Sequence, residues 1–265
     1  MSPARGGTDV TPPGAAPAVV RAIGVLDALA ASPDGVMSLS DLSRALGVPK
    51  SSTSSILTAL ELGGMIRRDD AGYSLGRRLV ELGGAYLTGM DQVREFYELC
   101  AASEVFHDET LRLSVQAGVD TLVLARYEGH PAIRFTASIG DRFPASVTAQ
   151  GKALLADLYD HEIERLYHGV AELPRMTRHS HRTLSELMVD IRDIRGRGYG
   201  EDHEEASEGV VGLAVVVPAR GVRAAKLAVS VTTLASTFSD RERRRFVPAL
   251  RGLAQSLGNP LDALS

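Results

Sequence analysis

Tryptophan is absent from this 265-residue chain and cysteine occurs once, as Cys100. A single cysteine excludes an internal disulfide framework and any metal cage built from thiolates alone. Its setting in the apolar-periodic stretch Phe96 to Phe106 predicts a packed thiol rather than a reactive one. No apolar run approaches the ~18 residues that a membrane-spanning helix needs, so no membrane partner is expected. Met1 to Pro17 is rich in Pro, Gly and Ala and lacks an apolar signal core; it reads as a disordered leader, and the cytoplasm is the expected compartment. Positive charge is scarce too, since 29 Lys and Arg against 33 Asp and Glu leave a net charge of −4. Enzyme signatures are missing. There is no nucleophile elbow, and Gly151-Lys152 is followed by Ala153 where a phosphate-cradling loop requires Ser or Thr. A catalytic reading has only His107, His161, His179, His181 or His203 with Asp202, Glu204 and Glu205, at no recognisable spacing. His179 and His181 with His203 or Glu204 are metal-ligating residue types, but scattered histidines in open loops read first as solvated. No catalytic residue, metal ligand or cofactor is assigned.

What is present is an ordinary globular composition, 44% apolar and 23% charged, in a chain long enough for two modest domains. Ala18 to Ala31 carries Val19, Ala22, Ile23, Leu26 and Leu29 at helical spacing, and Ser32 to Gly35 breaks it. Ser38 to Asp41 has capping-box spacing, with Ser38 or Ser40 as cap, before a helix that turns Leu39, Leu42, Ala45 and Leu46 inward. Gly47-Val48-Pro49 makes a tight corner into a third helix, about Lys50 to Leu62, which buries Ile56, Leu57 and Leu60. Its other face carries Lys50, Ser51, Ser52, Ser54, Ser55 and Thr58. Short hydroxyl side chains let a helix sit close in a DNA groove and touch phosphates or base edges; a plain solvated face is the alternative. Met65 to Arg68, a Gly-containing turn and Tyr73 to Leu75 then form a hairpin. Helix, turn, helix and hairpin make a winged helix, with Arg67 and Arg68 placed for phosphates, or else simply guarding a strand edge. Between Ser38 and Arg78, six basic residues face four acidic ones, so the basic footprint is local and slight.

Ala18 to Leu26, Leu39 to Ser52, Leu60-Glu61 and Tyr73 to Gly76 resemble the IclR family of bacterial transcription regulators, and the resemblance runs from Ala18 to about Leu257. It implies a DNA-binding domain over 18–78, a helical linker over 79–106 interrupted at Gly83-Gly84 and Gly89, and an effector-binding domain over 107–265. Members often place a bulky His-Arg pair where this chain has Ser54-Ser55, so its base readout should differ.

In the second half, Thr110 to Gln116 and Thr121 to Tyr127 read as a hairpin and Ala132 to Ser138 as a third strand. Helices are expected over Thr148 to Tyr159, Thr183 to Arg195 and Ser239 to Leu257, with a polar, His-bearing loop between the first two. Further strands are expected over Tyr199 to Asp202, Leu213 to Val217 and Ala225 to Thr232. Hairpin strands with helices in runs argue α+β. Ser138 to Pro144 with Thr148 to Leu155, Arg197 to Gly209, and Leu227 to Ser230 resemble the family's effector domain, which implies a GAF-like antiparallel sheet cupping a small ligand. Carried over residue by residue, the resemblance implies a pocket of Phe135, Phe143, Ala149, Gln150, Asp202, Gly212, Ser230 and Thr232, with Arg142 near its mouth. A helix start at Ala149-Gln150 favours an anion and phenylalanines an apolar body, so a small organic acid is the expected effector. Operator DNA and a second or fourth copy of the chain are the expected partners. A dimer that binds DNA without any ligand is the competing reading.

Overall fold

A computed structural model describes residues 16–130, 137–221 and 224–259. The expected leader therefore lies almost wholly outside the described residues. The chain forms two compact units that divide between Gly89 and Met90.

In the first unit, α1 (Pro17–Ala31) opens on a proline, whose missing N–H costs nothing at a helix start. It buries Val25 and Leu29, while Val19 and Ile23 stay more than half exposed. Helix α2 (Leu39–Leu46) is capped by Ser38, which accepts from the Asp41 amide, and stops at left-handed Gly47. Only Leu42 is fully buried there, and Ala45 is turned outward, contrary to its expected place. Helix α3 (Lys50–Leu62) packs through Leu57, flanked by Ile56 and Leu60, and through Thr53, whose hydroxyl donates to the Pro49 carbonyl. Strands β1 (Ile66–Asp69) and β2 (Gly72–Leu75) form the wing. A reciprocal backbone pair joins Met37 to Tyr73 at 2.9 Å, fastening the wing to the loop before α2. Gly72 makes this approach possible, since it adopts φ 138° and an added Cβ would meet the Met37 carbonyl oxygen at 2.7 Å. Helix α4 (Arg78–Thr88) runs straight through Gly83-Gly84, so the expected interruption there does not occur. The break comes at Gly89.

The second unit begins with α5 (Asp91–Ala101) and a 3-10 turn at Glu104–Phe106. Among the described residues its antiparallel sheet has six strands, β3 (Thr110–Ala117), β4 (Asp120–Glu128), β5 (Arg142–Pro144), β6 (Gly200–His203), β7 (Val210–Val217) and β8 (Leu227–Leu234), in the order β5-β4-β3-β8-β7-β6. Helices α6 (Ala149–Ala156), α7 (Asp160–Leu166), α8 (Leu184–Arg197) and α9 (Asp240–Gly258) complete the unit. The fold is α+β, as expected. Of the expected strand Ala132 to Ser138, residues 132–136 lie outside the described set and Ala137 and Ser138 are not strand. Among the described residues the strand beside β4 at the sheet edge is β5, inside what reads as loop. The expected helix Thr148 to Tyr159 ends at Ala156, and α7 occupies part of the stretch expected to be loop.

Register decides what each face of the sheet carries. Thr110, Arg112 and Ser114 on β3 sit opposite Thr232, Ser230 and Ala228 on β8, and Ser230 and Thr232 sit opposite Ala214 and Gly212 on β7. Paired residues share a face, so this face is small and polar; Gly212 and Ala214 place it against α6. The opposite parity gives Leu111, Leu113, Val229, Val231 and Leu213, all buried. Phe106 stacks on Phe246 of α9 at 6.4 Å within this apolar core. Cys100 is fully buried, and burial pushes its thiol up to about 12, so it packs as a small apolar group.

Candidate functional site

The exposed face of α3 is a stripe at positions 51, 54, 55 and 58, spaced as one side of a helix. Ser51, Ser54, Ser55 and Thr58 are exposed on it, and Lys50 is exposed at its start. Ser55 donates back to the Ser51 carbonyl at 3.2 Å and Thr58 to the Ser54 carbonyl at 3.0 Å. These two hydroxyls lie flat against the helix, with their lone pairs outward. Ser52 is half-buried at the margin of the stripe. On the wing, Arg67 lies opposite Ser74 and Arg68 opposite Tyr73. Consecutive strand residues point to opposite faces, so the two guanidiniums diverge. Arg68 lies over the Tyr73 ring at 5.4 Å, and Arg67 is 3.7 Å from Asp69.

The second unit holds a cavity of about 130 Å³ between α6, the small-residue face of the sheet and the segment after β6. Gly212 is the short sheet residue on its floor. A Cβ at Gly212 would sit 3.2 Å from that of Ala149 and fill the floor. Phe143, Ala137 and Val210 supply apolar wall; Gln150, Asp202, Thr232 and Arg112 supply polar wall. Thr148 caps α6, accepting from the Gly151 amide, so the helix start at Ala149 and Gln150 is well formed beside the cavity. Asp202 is 5% exposed; its Oδ1 accepts from the Glu205 amide at 2.7 Å and the Ala206 amide at 3.2 Å. Burial, with the Glu205 carboxylate next in effect, raises its carboxyl to about 7.

Arg112 is the unexpected member. It is 8% exposed, donates from a terminal guanidinium nitrogen to the Thr232 hydroxyl at 2.9 Å, and leaves Nε without a partner. Among the described residues, no carboxylate lies within ion-pair distance of it. Burial, then the neighbouring Arg126 charge, lowers it to about 10, which leaves it fully charged at neutral pH.

The description "Bacterial transcriptional regulator IclR C-terminal" fits residues 91–259, and that of the IclR helix-turn-helix domain fits residues 18–70. The chain belongs to the IclR family. Its IclR-family relatives include the HTH-type transcriptional regulator XynR of Escherichia coli K12, 30% identical over 91% of this chain and 97% of that protein. The regulator KdgR of the same organism is 28% identical over 92% of each. An IclR transcriptional regulator from Alicyclobacillus acidocaldarius superposes with a TM-score of 0.79 at 23% identity, covering 92% of this chain and 98% of that one. An IclR homologue from Microbacterium hydrocarbonoxydans, solved with 4-hydroxybenzoate, gives 0.74 at 22% identity, covering 93% and 99%. The chain is a DNA-binding transcription regulator of this family.

Of the eight pocket residues carried over from the IclR resemblance, Phe143, Gln150, Asp202, Gly212 and Thr232 line the one cavity. Ala149 packs just behind it with Ala153 and Ala214. Ser230, fully buried with an unpartnered hydroxyl, sits one pleat along β8 from Thr232. Phe135 lies outside the described residues. Arg142 is not at the mouth: it is tied down by the Ala117 carbonyl at 2.8 Å and Asp120 at 3.2 Å, holding the β3–β4 turn. The cavity's arginine is Arg112, which sequence reasoning missed. Its signal was an arginine at the inward parity of a strand whose other inward residues, Thr110 and Ser114, are small. His179, His181 and His203, which the sequence offers only as metal-ligating residue types in loops that read first as solvated, are not brought together among the described residues. His179 meets Arg178, and His203 leans on Phe238.

Proposed function

We propose that this regulator's hold on its operator is controlled by a small organic acid bound in the cavity of the second unit, its carboxylate on Arg112. The observation that carries this reading is the buried guanidinium without a carboxylate partner. An unpaired buried charge is costly, and a chain keeps one where a ligand supplies the counter-charge. The volume supports a compact body, since a cavity of ~150 Å³ accepts benzene. Phe143 and Val210 would pack that body. Asp202, whose Oδ2 is not used by the backbone, and Gln150 would take a hydroxyl or carbonyl at the far end. The homologue solved with 4-hydroxybenzoate is consistent with an acid of this kind. Ser51, Ser54, Ser55 and Thr58 would meet the major groove, flanked by Lys50 and Ser52, with Arg67 and Arg68 on phosphates. The exposed Val19 and Ile23 of α1 and Val80 and Tyr86 of α4 would be covered in a homodimer or a dimer of dimers, which two half-sites favour. We read the chain as a cytoplasmic binding protein and not an enzyme. The test is a thermal-shift screen of small hydroxylated and aromatic carboxylic acids, followed by operator-binding anisotropy with each hit. A hit that raises the unfolding temperature and changes operator affinity supports the reading; stabilisation by neutral analogues equal to that by the acids would overturn it.

A further inference from the structure

Behind the cavity wall lies a second polar cluster that the effector reading does not use. Lys152 of α6 is fully buried and donates to Asp190 Oδ2 at 2.6 Å and to Glu205 Oε1 at 2.5 Å. His181 approaches from the loop before α8, its Nε2 3.3 Å from Asp190 Oδ2 and 3.6 Å from Glu205 Oε2. That loop is fixed in place: Ser180 donates to the Glu205 carbonyl at 2.7 Å and Thr177 to the Glu204 carbonyl at 2.6 Å. The Glu205 side chain is 10% exposed, and its Oε2 is buried with no hydrogen-bond partner although it points at the imidazole.

We propose that His181, Asp190 and Glu205 form a binding site for a divalent transition-metal ion such as Zn²⁺. One donor atom from each of the three lies within 4.8 Å of the others. The two donor–donor distances at His181 match the edge of a tetrahedron around zinc, which is ~3.3 Å for metal–ligand bonds of ~2.05 Å. An imidazole with two carboxylates suits borderline cations such as Zn²⁺ over Ca²⁺ or Mg²⁺, which take all-oxygen sets. The unpartnered Glu205 Oε2 gives the ion an acceptor that nothing else satisfies. Lys152 neutralises both carboxylates in the metal-free protein, its Nζ on Asp190 Oδ2 and Glu205 Oε1, and so competes with an ion for the first of these oxygens. Water reaches the remaining position from an open cleft of about 450 Å³ that Asp190, Glu205 and His203 line. Lys152, and Arg197 at 3.4 Å from Asp190 Oδ1, already bring two positive charges. Binding should accordingly be micromolar rather than nanomolar, and removal of the lysine charge should tighten it.

Calorimetric titration of ZnCl₂ into the chelator-stripped full-length protein at pH 7.5 tests this, with His181→Ala, Glu205→Gln and Lys152→Met alongside. His161→Ala serves as the surface-histidine control. One ion per chain is expected, weakened at least tenfold in His181→Ala and Glu205→Gln, unchanged in His161→Ala and tightened in Lys152→Met. Metal-free thermal unfolding of His181→Ala, whose site is partly exposed, should match the parent and so separate lost ligation from lost fold. Absence of Zn²⁺ binding below millimolar concentration, or equal affinity in His181→Ala, would overturn the proposal. No organic acid enters the experiment, so its failure leaves the effector reading untouched.

Discussion

Arg112 and Arg142 show how much one side chain's environment decides. Both lie in the sheet of the second unit, and only Arg142 stands in a motif that draws attention in the sequence. Arg142 is satisfied by a carbonyl and a carboxylate, so it builds a turn; Arg112 is buried against a hydroxyl, so it calls for an anion. Arg112→Met keeps most of the volume and removes a buried charge that has no carboxylate within ion-pair distance among the described residues. Removal of a buried charge relieves its desolvation cost, so the acid-free protein should unfold at the same temperature or higher. Loss of a charge-assisted bond should weaken acid binding by about 1.5–3 kcal/mol, roughly tenfold to a hundredfold; titration of a stabilising acid against both proteins checks it. Thr232→Val, which removes the hydroxyl that orients the guanidinium, should give a smaller loss in the same direction. A second titratable residue, Glu109, is raised to about 7 by burial, against the pull of Arg245. Its folded pKa is above its unfolded one, so it costs nothing below about pH 4.5, and stability falls as pH climbs through 7. Glu109→Gln should therefore leave stability at pH 4 unchanged and raise it at pH 8 by on the order of 1 kcal/mol, with solvent screening at this half-exposed group, as read by urea denaturation.

At the level of elements, the helices with strong caps were legible and the short pieces were not. Ser38 ahead of α2, Thr183 ahead of α8 and the Gly47 stop mark their ends by side-chain chemistry within a few residues. Strand β5 has three residues and pairs with β4 residues 20 to 24 positions earlier, so no local pattern announces it. Gly83-Gly84 reads as a breaker, yet α4 continues through both, at a cost of only ~1 kcal/mol for each glycine. For the cavity, five lining residues were carried over by resemblance, whereas Arg112 is visible only once register sets it opposite Ser230. The wing offers a test at this scale. Because Arg67 and Arg68 leave opposite faces of β1, they should not act as an interchangeable pair. If each meets a phosphate, replacement by Ala should lower the slope of log affinity against log salt by about one per bound protomer. Arg68, which lies over Tyr73, should also lose some wing stability. Ser54→Ala on α3 should leave the slope alone and change the ranking of operator variants. Fluorescence anisotropy at several salt concentrations separates the outcomes; an unchanged slope in both arginine variants would remove the wing from the DNA face.

Across the whole molecule, the two units carry separate cores. The first closes around Val25, Leu29, Leu42, Leu57 and Ile66; the second has its own clusters, among them one of Leu155, Ile163, Leu187 and Ile191 and one of Ala149, Ala153 and Ala214. On the proposed reading the regulator takes two ligands on two bodies, and the quantity that matters is the coupling free energy between them. That coupling must be reciprocal. If saturating acid weakens operator affinity by a given factor, saturating operator must weaken acid affinity by the same factor; a factor of ten corresponds to about 1.4 kcal/mol. The expectation can be measured with a stabilising acid by calorimetry, with and without operator duplex, and by anisotropy, with and without acid. The two factors should agree within error in the parent. In Arg112→Met both should fall to one while acid-free operator affinity stays at the parental value, since Arg112 belongs to the second unit and the DNA face to the first. Loss of operator affinity in that variant without acid would instead mean that the arginine supports the fold on which DNA binding depends. A parental acid effect persisting in Arg112→Met would place the controlling ligand outside this cavity.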